Sequence, residues 1–506
     1  MRRALLPLLL ALCAACGDTT AALNDPDATS PDATQPDLNE PDATSPDAAE
    51  PDLTEPDAAE PDATEPDLTE PDATEPDADA SDLAEPDADE PDVMEPDMEP
   101  DIEPDELHPA LYTADRTLSP LTPSVAQNLR EVMARDPGWN DHVFAKVGAS
   151  STVSSSFLHC FAGGNIDLGG RDELQATIDH FAAGYADGTT PFDRESLTTV
   201  VGWSAVSALA GDPSPLEREL AAIEPRFAVI MYGTNDVERR NIEEYATNLL
   251  DMADLLLARG IIPIFSTFMP RDDKPSSDLL VPNYNAVVRA VAQGRQIPMV
   301  DLHRELLPLP DHGLSGDNLH PSTYRLNGAN RACHLTPEGL QYGYNIRNLI
   351  TIQTLDRLRR VLLDDELAPD PPGPALQGDG SPNSPFEITH LPFVDLRDTR
   401  DSPHERLSSY TGCAASQDES GPEWLYRLEV ERPARLTARV FDRGQVDVDL
   451  HLLRGEPEEG ACFARAHQEV EAELTPGVWY LAVDTFVSRQ SGAQGGEYLL
   501  TVLLDE

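Results

Sequence analysis

The chain has 506 residues and a formal net charge of −57, from 92 acidic and 35 basic residues. That length exceeds one ordinary domain. A chain so acidic repels phosphate backbones, which argues against nucleic acid as a partner.

The chain opens on Met1-Arg2-Arg3 and an apolar run from Ala4 to Leu12, the charged and hydrophobic regions of an export signal. The run is too short to span a bilayer as a mature helix. Ala14 and Ala15 then precede Cys16, which resembles the bacterial lipobox, with Cys13 where a leucine is usual. That resemblance implies removal of residues 1–15 and lipidation of Cys16. By the same resemblance, Gly17 in place of an aspartate implies an outer-membrane or cell-surface destination for the exported lipoprotein, so a membrane is an expected partner. Between Ala21 and Ala110 fall 33 acidic residues and no Lys or Arg, with Pro-Asp recurring every fifth position from Pro26 to Pro96 except at Ser81. Such a segment cannot propagate helix or sheet and buries too little apolar surface to offset its ordering entropy. Residues 16–107 are therefore expected to be a disordered acidic linker, a spacer reaching on the order of 200 Å if polyproline-like.

Residues 108–368 alternate strand and helix, which predicts an α/β fold with a mostly parallel sheet. Expected strands are Val143–Val147, Phe227–Tyr232, Ile261–Phe268 and Ile297–Leu302; expected helices are Ile242–Arg259, Leu279–Gln293 and Thr336–Leu363. After a Pro-rich linker (369–380), residues 381–506 change to period two. Leu425–Val430, Leu436–Phe441, Val446–Leu453, Val470–Leu474, Val478–Val483 and Tyr498–Leu504 predict a separate all-β sandwich. The stretches around Asp447-Val448-Asp449-Leu450 and Pro476-Gly477-Val478-Trp479-Tyr480 resemble the bacterial pre-peptidase C-terminal domain. Asp447 and Asp449, with Asp484, are either calcium ligands or, more simply, solvated strand residues. Of six cysteines, Cys13 leaves with the signal and Cys16 carries lipid. An even pair then remains in each later region, so one disulfide per domain is expected, Cys160 with Cys333 and Cys413 with Cys462. No Cys/His cluster has zinc spacing, and no metal or cofactor is expected.

Ester hydrolysis needs a nucleophilic oxygen, a base, a group orienting that base, and donors for the oxyanion. Val147-Gly148-Ala149-Ser150 follows a strand, where the serine would begin a helix with its N–H available to a developing negative charge. Gly233-Thr234-Asn235-Asp236 ends the next strong strand. Asp317-Asn318-Leu319-His320 places an acid three residues ahead of a histidine, close enough for one local turn to join them. His159, His303, His312 and His334 have no comparable partner and read as structural or surface residues. Trp203 and residues 194–196 either line a cleft or pack in the core.

The ordered set Gly-x-Ser, Gly-x-Asn-Asp and Asp-x-x-His resembles the SGNH (GDSL-like) hydrolase superfamily over residues 140 to 365. The resemblance implies a flavodoxin-like three-layer α/β/α domain, with Ser150 as nucleophile, His320 as general base and then acid, and Asp317 orienting His320. Asn235 and the backbone N–H groups of Ser150 and Ala205 would form the oxyanion hole. Two positions depart from the pattern: Ala149 replaces an Asp that supports the turn, and Ala205 replaces a glycine. The implied substrate is a carboxylic ester, whether acylated polysaccharide, lipid or small acyl ester. The alternative implied by the departures is a surface binding protein that keeps the fold with little or no activity.

Overall fold

The computed structural model describes residues 107–415 and 417–505. The signal segment, Cys16 and the Pro-Asp repeat lie outside the described residues.

The first helix, α1 (Pro123–Arg135), was not among the expected elements. Its start is well specified: the Thr122 hydroxyl accepts the Val125 N–H, and Pro123 occupies the first turn, where a missing N–H costs nothing. Val125, Ala126, Leu129 and Val132 form its buried stripe. There follow β1 (Asn140–Gly148), the one-turn helix α2 (Ser150–Val153), β2 (Pro225–Met231), α3 (Ile242–Ala258), β3 (Ile262–Ser266), α4 (Val281–Arg295), β4 (Met299–Val300) and α5 (Gly343–Leu362). The strands form a sheet in the order β1-β2-β3-β4, every pairing parallel. Every residue of β2 and β3 is buried, as expected of parallel strands covered on both faces. The last expected strand is cut short at Val300. There the Asp301 side chain accepts the Arg304 N–H and starts a helix at Leu302. The closing helix begins at Gly343 rather than Thr336, because Gly339–Gln341 forms a separate 3₁₀ turn.

Parallel strands carry their carboxyl ends to one edge, so Ser150 after β1 and Asn235 after β2 are neighbours by topology. The Cys160–Cys333 disulfide adds a covalent tie between the segment that follows α2 and the loop that follows His320. It joins residues 173 apart in sequence. Replacing both cysteines by serine is expected to lower the unfolding free energy by about 2–5 kcal/mol. Urea denaturation reads this directly, and an unchanged midpoint would refute a stabilising role.

The second region is a sandwich. One sheet holds, in order, Glu469–Leu474, Ala434–Asp442, Glu497–Asp505 and Phe393–Asp398; the other holds Cys462–Ala466, Val448–Arg454, Gly477–Thr485, Trp424–Val430 and Phe386–Ile388. In chain order these strands are β5 (Phe386–Ile388), β6 (Phe393–Asp398), β7 (Trp424–Val430), β8 (Ala434–Asp442), β9 (Val448–Arg454), β10 (Cys462–Ala466), β11 (Glu469–Leu474), β12 (Gly477–Thr485) and β13 (Glu497–Asp505). All pairings are antiparallel except β5 with β7. The inner faces meet in a core that includes Tyr426, Leu436, Leu450, Trp479 and Leu500.

Period two predicts a solvated outer face for β9 and β12. Instead Leu407 and Tyr410, from the segment between β6 and β7, pack on Leu425, Leu453 and Ala482. The second disulfide, Cys413–Cys462, pins that cover to β10. Asp449 and Asp484 are consequently 1% and 0% exposed, which corrects the reading of them as solvated residues.

The sandwich also shares a core with the α/β region: Val394, Phe441 and Leu499 join its buried cluster. At the junction Gln293 donates to the Val394 carbonyl at 2.7 Å, and Gly294 leaves no room for a Cβ against Leu396. Arg295 bridges Asp254 (2.7 Å) and Glu497 (2.6 Å), and Arg443 reaches the same two carboxylates. No helix among the described residues is long and apolar enough to cross a membrane.

Candidate active site

Ser150 is held by a turn in which Gly148 has no substitute. A Cβ there would strike the Thr152 side chain and lie 2.7 Å from the Met231 carbonyl oxygen. As the first residue of α2, Ser150 has an N–H with no partner inside the helix. Across the edge of the sheet, the chain from Leu314 to Pro321 folds back on itself, closed by the Ser315 N–H on the His320 carbonyl at 2.8 Å. Asn318, with φ 57°, supplies the reversal, a conformation asparagine tolerates better than most residues. That turn places the His320 Nδ1 2.7 Å from Asp317 Oδ2 and its Nε2 2.8 Å from Ser150 Oγ. With Nδ1 carrying the proton toward the carboxylate, Nε2 accepts the serine hydroxyl. Burial alone would raise the Asp317 carboxyl. Hydrogen bonds from the His320 N–H and imidazole, the Ser315 hydroxyl and the Leu319 N–H outweigh it and hold the group well below the usual carboxylate range.

Gly233 and Asp236 shape the second loop. Gly233 has φ 124°, and a Cβ on it would run into the Phe268 ring. The Asn235 amide donates to the Trp203 carbonyl at 2.8 Å, leaving its second N–H for another acceptor. Ala205 departs from expectation. Its N–H donates to Asp236 Oδ1 at 2.8 Å, so this structure does not offer it as an oxyanion donor, and the expected role is corrected.

Residues 167–339 match the GDSL-like lipase/acylhydrolase family. The α/β region carries a GDSL-like lipase/acylhydrolase domain. The matched span contains Asn235, Asp317 and His320, while Ser150 precedes it. Similar solved structures include a GDSL-like lipase from Bacteroides thetaiotaomicron, 17% identical, covering 46% of this chain and 98% of that one with a TM-score of 0.26. An acetylxylan esterase from Geobacillus stearothermophilus is 17% identical, covering 42% and 94% with a TM-score of 0.28. The pre-peptidase C-terminal domain of a collagenase from Bacillus anthracis is 16% identical, covering 22% and 89% with a TM-score of 0.15. No curated protein matches the chain.

Several residues that organise the acylhydrolase domain's site had no role assigned from sequence. Asp236, the last residue of Gly-x-Asn-Asp, is 4% exposed and accepts the N–H groups of both Ala205 and Gly233, joining two loops. Burial pushes its carboxyl up to about 6 against the pull of those hydrogen bonds. The amino-terminal half of α5 buries Asn345, Arg347 and Asn348. Arg347 donates to the Ser151 carbonyl at 2.8 Å and the Thr152 hydroxyl at 2.9 Å, with its guanidinium 3.6 Å from the Phe157 ring centroid. Full burial lowers it to about 9. Asn348 holds the Ser156 carbonyl, and Asn345 holds the Arg331 and His334 carbonyls. One helix thereby braces both the nucleophile's segment and the stretch that follows His320. Polar residues where helix periodicity demands apolar ones were the available signal.

The other singled-out residues sit elsewhere. His159 contacts the buried Lys146 at 3.2 Å, and burial together with that cation lowers it to about 4. His312 does have a carboxylate, Asp272 at 2.8 Å, which corrects the expectation that it lacks one. Arg194 pairs with the buried Glu219, so that stretch is structural, and Trp203 packs against the core.

Proposed function

We propose that the chain is an exported serine esterase, held at a membrane by lipidated Cys16, that cleaves carboxylic esters through an acyl-Ser150 intermediate. One observation carries the reading: Ser150, His320 and Asp317 form an unbroken hydrogen-bond relay at 2.8 and 2.7 Å. Ser150 Oγ attacks the acyl carbon as its proton passes to His320 Nε2, and Asp317 balances the imidazolium. The Ser150 N–H and the second N–H of Asn235 receive the oxyanion. The alcohol leaves with the proton from Nε2. Water then loses a proton to the same nitrogen and attacks the acyl carbon; the bond to Ser150 Oγ breaks, Oγ takes the proton back from Nε2, and the acid is freed. Acylated glycans, lipids and small acyl esters all present the required carbonyl.

A second reading, a binding protein with this fold and little turnover, rests on Ala205, whose N–H is already committed to Asp236. Labelling the full chain with a fluorophosphonate decides between them. A single adduct mapped by mass spectrometry to Ser150 is expected. An unmodified chain sinks the esterase reading and favours the binding protein.

A further inference from the structure

The end of the sandwich gathers more negative charge than its cations balance. Asp442 closes β8, Asp447 precedes β9, Asp449 lies within β9, and His467 sits in the turn between β10 and β11. One ligand atom each from Asp442, Asp447 and His467 lies within 4.8 Å of the other two. His467 Nδ1 stands 3.3 Å from Asp447 Oδ1 and 3.5 Å from Asp449 Oδ1. Asp449 is 1% exposed, and neither of its carboxylate oxygens has a hydrogen-bond partner. The buried Glu419 lies close by, with Arg465 at 3.4 Å from Glu419 and 3.7 Å from Asp449. Three carboxylates, with the Glu419 carboxyl that burial and Asp449 push up to about 8, therefore face one guanidinium and one imidazole.

A buried carboxylate without hydrogen bonds is costly unless a cation meets it. The spacing indicates which cation. Nitrogen and oxygen ligands at about 2.0–2.1 Å from a tetrahedral centre stand about 3.3 Å apart, longer than a strong charge-assisted hydrogen bond. The His467 to Asp447 separation, 3.3 Å, falls at that edge length. An imidazole in the set selects borderline first-row ions, whereas calcium takes six to eight oxygens.

We propose that Asp442, Asp447 and His467 bind one divalent ion of the zinc class beside the buried Asp449 carboxylate, clamping the β8–β9 loop to the β10–β11 turn. It is distinct from the Asp447, Asp449 and Asp484 set considered from sequence, because Asp484 is engaged by the Tyr410 hydroxyl.

The test is calorimetric titration of the chelator-stripped full chain with zinc chloride, and separately with calcium chloride, for the parent, His467→Ala and Asp447→Asn. One zinc site per chain is expected, weakened at least tenfold by either substitution, together with a zinc-dependent rise in thermal midpoint that both variants lose. The His467 side chain is half-exposed, so its removal does not threaten the fold. Zinc binding that is equal in all three proteins would assign the ions to acidic surface and overturn the proposal. Calcium binding unaffected by His467→Ala, or no saturable binding of either ion, would overturn it as well.

Discussion

Ser150→Ala and His320→Ala are each expected to lower kcat/KM for p-nitrophenyl acetate by about 10⁴-fold or more, and the double variant to lose no more than the worse single one. The two side chains act as one unit, because the hydroxyl is a poor nucleophile unless Nε2, 2.8 Å away, takes its proton. Ten-thousandfold corresponds to about 5.4 kcal/mol of transition-state stabilisation. Asp317→Asn is expected to cost less, about 10²–10³-fold, because its carboxylate is half-exposed and is shielded by solvent. Its remaining hydrogen bonds to backbone still hold the turn. Steady-state kinetics on the parent and the four variants measure all of this. Additive losses in the double variant would show that Ser150 and His320 do not share one reaction path.

Arg347→Met separates positioning from stability. A lone buried guanidinium carries a desolvation penalty, and methionine fills similar volume without one, so unfolding free energy is expected to move by less than about 2 kcal/mol. The Ser151 carbonyl and Thr152 hydroxyl lose their donors, and the turn beneath Ser150 relaxes. A displacement near 1 Å at a nucleophile is worth about 10²-fold, so kcat should fall by that factor with KM little changed. Urea denaturation and kinetics on the same protein give both quantities. A large stability loss with unchanged kcat would make Arg347 a packing residue only.

The parts legible in sequence were those set by local chemistry. Apolar runs ending in Gly148 and Gly233 marked two strands and the loops after them, and Asp317 and His320 lay close enough for a single turn to join them. The illegible parts depend on partners distant in sequence. Nothing near Ala205 indicates that its N–H turns to Asp236, 31 residues on. Arg347 falls where helix periodicity demands an apolar residue, but nothing near it points to its partner Ser151, 196 residues earlier. The cover over β9 and β12 was missed because residues 402–423 show no period, and irregular backbone gives no sign of the face it will bury. The stripe of α1, Val125, Ala126, Leu129 and Val132, has ordinary helical spacing and is legible in the sequence.

The junction at Gly294, Leu396 and Arg295 also bears on how the molecule comes apart. A boundary visible as a change of sequence period is here expected to be no boundary in cooperativity, since unfolding either region would strip Val394, Phe441 and Leu499 from their neighbours in the other. Cutting the linker at residues 371–375 would sever the chain without freeing a module. The sandwich thus packs as a buttress on the acylhydrolase domain, through buried side chains and the Arg295 and Arg443 ion pairs.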